Sequence, residues 1–178
     1  MSATTAELDT VIRDALDGQE LRYERERAGA YLVTLEGQHK LATMTWLIAG
    51  EHSLHVEAFF VRQPDENAAE FHRFLLERNA RMYGVHFCVD HLGDVYLVGR
   101  VPLAAVTAEE LDRLLGCVLT YSDENFDQAL TLGFASSIRR EWEWRQKRGE
   151  SLANLRAFTS IVPGTRPGSS SADTDQRS

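Results

Sequence analysis

The stretch HFCVDHLGDVYLVGRV (86–101) packs His86, Cys88, Asp90 and His91 into six positions. Imidazole nitrogens, thiolates and carboxylates are the donors of a zinc site, which needs three or four of them converging on one point. A strand sends successive side chains to opposite faces, so His86, Cys88 and Asp90 share one face while Phe87, Val89 and His91 share the other. Ligands two apart on a strand lie roughly 6.5–7 Å apart at Cα. No second Cys/His pair with ligand spacing exists to complete the set. Leu92-Gly93-Asp94 supplies turn chemistry, and Val95, Leu97, Gly99 and Val101 then resume an apolar alternation. The stretch reads as a hairpin with Cys88 as an ordinary buried strand residue, and no metal is expected.

The other candidate groups fare similarly. His52 and His55 are three apart near a strand start and so fall on opposite faces. Cys117 sits among Leu114, Leu115 and Val118 on an apolar helix, where a thiol acts as a small hydrophobe. The acids Asp123, Glu124 and Asp127 read as a solvated helix face or a helix boundary near Ser122-Asp123. The chain contains no GxSxG elbow and no GxGxxG or GxxxxGK[ST] loop. No catalytic residue and no cofactor is expected. Trp142 and Trp144 lie in the basic run RREWEWRQKR (139–148), and Trp with Arg is a favoured pairing at binding hot spots. The simpler reading docks Trp142 on the core and leaves Trp144 half exposed.

The elements that carry these residues follow from periodicity. Leu8, Val11, Ile12, Ala15 and Leu16 space a helix over 5–17, capped by Thr4 or Thr5 and ended by Gly18. LRYERER (21–27) alternates weakly and suits a charged edge strand, the least defined element. AYLVTLE (30–36), KLATMTWLIA (40–49) and SLHVEAFFV (53–61) are strands, and the short breaks at Gly37-Gln38 and Gly50-Glu51 make them antiparallel neighbours. Pro64-Asp65-Glu66 opens a helix with Asp65 as N-cap, Phe71, Phe74, Leu75 and Met82 as its stripe, and Gly84 as its stop. After the hairpin, Thr107-x-x-Glu110 forms a capping box for a helix bearing Leu111, Leu114, Leu115 and Val118. A helical extension covers 134–158. Residues 159–178, rich in Gly, Pro and Ser, are expected to be a disordered tail.

Strands in runs separated by single helices imply an α+β fold, order α-β(3 or 4)-α-β2-α, with helices packed on one antiparallel sheet. Residues 1–158 are expected to form a single domain that includes the extension. The net charge is −8, from 19 basic and 27 acidic residues, which disfavours duplex nucleic acid because its affinity comes from neutralised phosphates. The most apolar runs, such as LATMTWLIAG, are about half the length of a bilayer crossing. The first residues carry acids and no basic n-region, and two cysteines are too few for a disulfide framework. A cytoplasmic protein bound neither to nucleic acid nor to membrane is expected.

The string FHRFLLERNARMYGVHFCVDHLGDVYLVGRVPLAAVTAEELDRLLG (71–116), continued by LGFASSIRREWEWR, resembles the YbjN family of bacterial proteins in its actinobacterial form. That resemblance implies a fold similar to type III secretion chaperones and a role as a sensory-transduction regulator, and it supplies no catalytic residues. The resulting expectation is a non-enzymatic, chaperone-like or regulatory module that binds a protein client and forms a homodimer. Apolar strands such as WLIA (46–49) and EAFFV (57–61) suggest a sheet with apolar side chains on both faces. Trp46 and Phe59 on the strands, the stripe Phe71, Phe74 and Leu75, and Trp144 are the expected contact residues, with main-chain pairing at a sheet edge as one means of holding a client. The competing expectation is a small-ligand sensor or enzyme with a pocket between sheet and helices, lined by His86, Asp90 or Tyr96.

Overall fold

A computed structural model describes residues 5–153 together with 155 and 158, so the expectation for 159–178 lies outside the described residues. The elements are α1 (Thr5–Gly18), β1 (Arg22–Arg27), β2 (Ala30–Glu36), β3 (Ala42–Ala49), β4 (Ser53–Val61), α2 (Ala68–Asn79), β5 (Val85–Val89), β6 (Val95–Pro102), a 3-10 turn at Leu103–Ala105, and α3 (Ala108–Arg148). The six strands make one antiparallel sheet in the order β1-β2-β3-β4-β6-β5. The charged run at 22–27 is a strand and occupies one edge.

Register separates the two faces of the sheet. Tyr31, Leu47, Val56, Gly99 and Val85 form one cross-strand row, and its side-chain-bearing members are all fully buried. The neighbouring row is Leu32, Trp46, Glu57, Val98 and His86, none of it fully buried. Each core Leu or Phe contributes about 1.5–3 kcal/mol by burial. A one-residue slip of any strand would move its whole apolar set to water, which pins the register. Gly99 is required by close approach, since a Cβ there would run into the carbonyl oxygen of Gly84.

The helices cover the Tyr31 face. Ser122 of α3 meets Thr43 of β3 at 2.9 Å, and Phe126 stacks edge-on against Phe60 of β4 at 6.2 Å. A β-bulge at Phe60, where β4 carries one residue more than β6, lets both Phe60 and Val61 enter this core. From α1, Leu8, Ile12, Ala15 and Leu16 are buried at the predicted helical spacing.

Three local expectations are corrected. α2 begins at Ala68, not at Asp65. Asn67 is the N-cap residue, in the left-handed region (φ 51°), and its side chain donates to the Leu132 carbonyl at 3.1 Å. Asp65 instead receives a two-pronged pair from Arg62 at 2.6 and 2.7 Å. The helix also ends at Asn79, so Met82 lies beyond it. Finally, α3 passes unbroken through Ser122-Asp123 and departs from helical geometry only at Phe134 (φ −140°, ψ 15°). Ser122 is fully buried with its hydroxyl satisfied by Thr43 and by the Leu119 carbonyl, so a polar pair that looks like a break in sequence is a helix-to-sheet contact.

The chain divides after Phe134 into two compact units. In the second, the helix closes at Gly149 (φ 67°), where Gly149 N–H donates to Gln146 and Glu150 N–H donates to Arg145. Arg145 pairs with Glu141 at 2.6 Å, and the Arg148 guanidinium lies 4.6 Å from the Trp144 ring. Trp142 is 5% exposed and Trp144 45%.

Candidate partner-binding surface

The residues of metal-ligand type are dispersed by the hairpin that carries them. Asp90 lies past the end of β5 and accepts the N–H groups of Leu92 and Asp94 on Oδ1, at 2.8 and 2.9 Å. That doubly bonded carboxylate, with Gly93 at φ 90°, builds the turn. Asp94 then accepts the Gln63 N–H at 2.7 Å and ties the turn to the exit of β4. His86 and Cys88 point outward, and Cys88 is exposed rather than buried, because the sheet face it occupies is not the core face. Among the described residues no group of three His, Cys, Asp or Glu side chains is placed to hold a metal ion.

That outward face is the largest unmatched feature of the sheet. Leu32, Met44, Trp46, Ile48, Phe59, Tyr96 and Val98 all project from it, with Met44 42% and Phe59 43% exposed. Phe59 and Tyr96 form an edge-to-face pair at 5.5 Å. Polar residues on the same face include Glu24, Thr34, Glu36, His55, Glu57, His86 and Arg100, and the Glu57 carboxylate is engaged by His55 at 3.1 Å. An apolar array rimmed by polar groups marks a surface that meets another molecule.

The sheet edges, by contrast, are engaged on β5 by the chain's own groups and lined with charge on β1. On β5 the outward-facing N–H and C=O of Phe87 are both taken by the Asn79 amide of α2, at 2.8 and 3.1 Å. The Val85 N–H is taken by the Tyr83 carbonyl at 2.8 Å. On the other edge, β1 is RYERER with all but Tyr23 exposed, a charge pattern that discourages further pairing. The exposed apolar surface is thus a face rather than an edge.

Three polar nodes hold the frame. Asp9 of α1 is 7% exposed and binds Arg25 through both oxygens, at 3.2 and 2.9 Å, the Gly29 N–H at 2.8 Å and the Tyr31 hydroxyl at 2.6 Å. Arg25, then Tyr31 and Gly29, hold its carboxyl well below the usual carboxylate range, while burial and Asp9 push Tyr31 up to about 12. On α3, Asp123 accepts the N–H groups of His39 and Lys40 at 2.8 and 2.9 Å, and Asp127 binds the His39 imidazole at 2.7 Å. The expected solvated acidic face is in fact an anchor for the β2–β3 loop. The third node is Lys40, 9% exposed, whose ammonium donates to the Phe59 carbonyl where β3 no longer pairs with β4. It lies 5.7 Å from both the Phe59 and Phe60 rings, and burial lowers its pKa to about 8.

The expected contact residues thus separate. Trp46 and Phe59 share the open face, Trp46 being half-buried. Phe71 and Leu75 are 0% and 3% exposed and belong to the core, because α2 turns its stripe inward onto Phe134. Phe74 is half-buried beneath Arg78 at 4.9 Å, and Trp144 lies exposed in the second unit. His86 and Tyr96 occupy the outer face and Asp90 the turn, so these three do not line a pocket between sheet and helices. A groove of about 410 Å³ does exist beside the end of α2, with Glu77, Arg78, Arg81 and Glu124 in its wall. The sequence reading missed Lys40 and Asn79. Lys40 had a signal, being one of only two lysines in a chain with 19 basic residues. Asn79 had none, since its role depends on a strand packed beside it.

Comparison with known proteins agrees with this architecture. The family model described as "Putative bacterial sensory transduction regulator", YbjN, matches residues 9–131. An uncharacterized protein of Mycobacterium tuberculosis is 49% identical over 170 residues, covering 93% of each chain. One of Mycobacterium leprae is 46% identical over 168 residues, covering 91% of each. Among solved structures, a chain of the ExsC–ExsE complex aligns with a TM-score of 0.50 at 18% identity, over 70% of this chain and 94% of that one. A chain of the HopA1–SchA chaperone–effector complex aligns at 0.48 and 13% identity, over 64% and 88%. The fold is the α+β fold of type III secretion chaperones, and the chain belongs to the YbjN family.

Proposed function

We propose that this protein is a non-enzymatic, cytoplasmic protein-binding module, chaperone-like or regulatory, and that the open face of its sheet is where the partner sits. The observation that carries the reading is a sheet face whose apolar side chains, Met44 and Phe59 among them, stay exposed among the described residues. Four carboxylates support it from the other side, because each is engaged in building the fold. Asp90 forms a turn, Asp123 and Asp127 hold a loop, and Asp9 joins α1 to the sheet. No helix among the described residues is long and apolar enough to cross a membrane. A homodimer is part of the proposal, supported by apolar side chains exposed away from the face, Leu76 on α2 and Tyr83 after it.

The test compares affinity capture by the natural sequence, by a Met44→Glu/Phe59→Glu double variant and by Leu76→Glu, with the mass of each measured by light scattering. Retention of a discrete protein by the natural sequence and Leu76→Glu, and its loss from the double variant, is the expected result. Equal retention by all three, or a monomer that retains nothing, would overturn the reading.

A further inference from the structure

The chemistry of the partner follows from what the open face offers and what it lacks. It presents side chains and no main-chain groups, as a sheet face does and an edge does not. A segment lying on it must satisfy its own N–H and C=O groups, which a helix does and an extended strand does not. The charges on the β4, β5 and β6 part of the face are also unlike those of the chain. The sequence carries −8 overall, yet the outward residues of β4, β5 and β6 include Arg100 and two histidines against one carboxylate, Glu57, already engaged by His55. Beside the exposed Phe59 ring lies the Lys40 ammonium, with a backbone carbonyl as its hydrogen-bond partner. Among the described residues neither Lys40 nor Arg100 forms an ion pair. A nearly buried ammonium without a counter-charge is costly, and an arriving carboxylate would form a charge-assisted bond there.

We propose that the open face seats an amphipathic helix of a partner protein, apolar on its contacting side and bearing carboxylates near both ends of the contact, one for Lys40 and one for Arg100. The proposal rests on the reading of this face as a protein-binding surface and names the partner's chemistry. Tyr96, beside Phe59, and Arg100 are four strand residues apart, about 13 Å. The matching carboxylates are then roughly eight or nine residues apart along a helix.

The full chain has two lysines, Lys40 and Lys147, and three methionines, Met1, Met44 and Met82, so selective ¹³C labelling reads the face directly by NMR. The probes are helical peptides of about 18 residues, or five turns, with one Leu/Ile face and two flanking positions that are Glu, Gln or Lys. The Glu peptide is expected to bind at least about tenfold more tightly than the Gln peptide, shifting the Lys40 and Met44 signals but not those of Lys147 and Met82. Lys40→Gln and Arg100→Gln should each shrink that discrimination while leaving the Gln peptide's affinity unchanged. Equal binding of Glu and Gln peptides at Met44 would overturn the charge assignment and leave the protein-binding face standing. No binding, with Met44 broadened as protein concentration rises, would assign the face to a second copy and overturn the helix proposal. No response at Met44 to any peptide or to concentration would overturn both.

Discussion

Asp9 shows how much of this fold rests on single polar side chains. One carboxylate, nearly buried, closes a node between α1, the β1–β2 turn and Tyr31. Asp9→Asn keeps the shape but loses the charge that binds Arg25. The expected loss is about 2 kcal/mol, the scale of a hydrogen bond to a charged group, read as a lower urea midpoint. Because the Asp9 pKa is depressed, its contribution is present above the ordinary carboxylate range and fades as pH falls through the folded value, so the variant should lose less than the natural sequence on acidification. Lys40 acts with the same sign at higher pH. Its pKa falls to about 8, below the unfolded value, so the unfolded chain holds more protons between about 8 and 10.5 and stability rises with pH across that window. Lys40→Met should flatten that rise in urea titrations at pH 7.5 and 10. Little of this was legible in the sequence, where Asp9 is one acid in an amphipathic helix and Lys40, though one of two lysines, the start of a strand.

The elements were legible because their signals are local. Period-two burial in β2, β4 and β6 and the apolar spacing of α1 appear in the residues themselves, and the structure follows them. Element ends were less so. Asp65 resembles an N-cap, but its carboxylate is drawn to Arg62 and α2 starts three residues later. Whether an edge is open cannot be seen in a strand's own sequence, since it depends on what packs beside it. Asn79 closes β5 from a neighbouring helix. Replacing it with Ala removes both bonds to Phe87. The expected outcome is faster amide exchange at Phe87, a loss of roughly 1 kcal/mol, and self-association that grows with concentration as the freed edge pairs between molecules. Unchanged exchange at Phe87 would show that the edge is protected by something else.

At the scale of the molecule, the sheet is used asymmetrically. Its inner face carries the core and its outer face carries Met44, Trp46, Phe59 and Tyr96. The sequence signalled apolar residues on both faces of β3 and β4, but which side the helices take is a property of packing. Phe71 and Leu75 therefore went to the core, while Trp46 and Phe59 remained outside. Because the outer face contributes little to the core, charged substitutions there should change stability by about 0.5 kcal/mol or less. The central claim is that this face meets another polypeptide. It is tested most directly by placing a photo-reactive benzophenone side chain at Met44, at Phe59 and, as control, at Leu76, then irradiating living cells. The account expects a discrete protein adduct from positions 44 and 59 that position 76 does not give. An open face that yields no adduct, or the same adducts from all three positions, would contradict it.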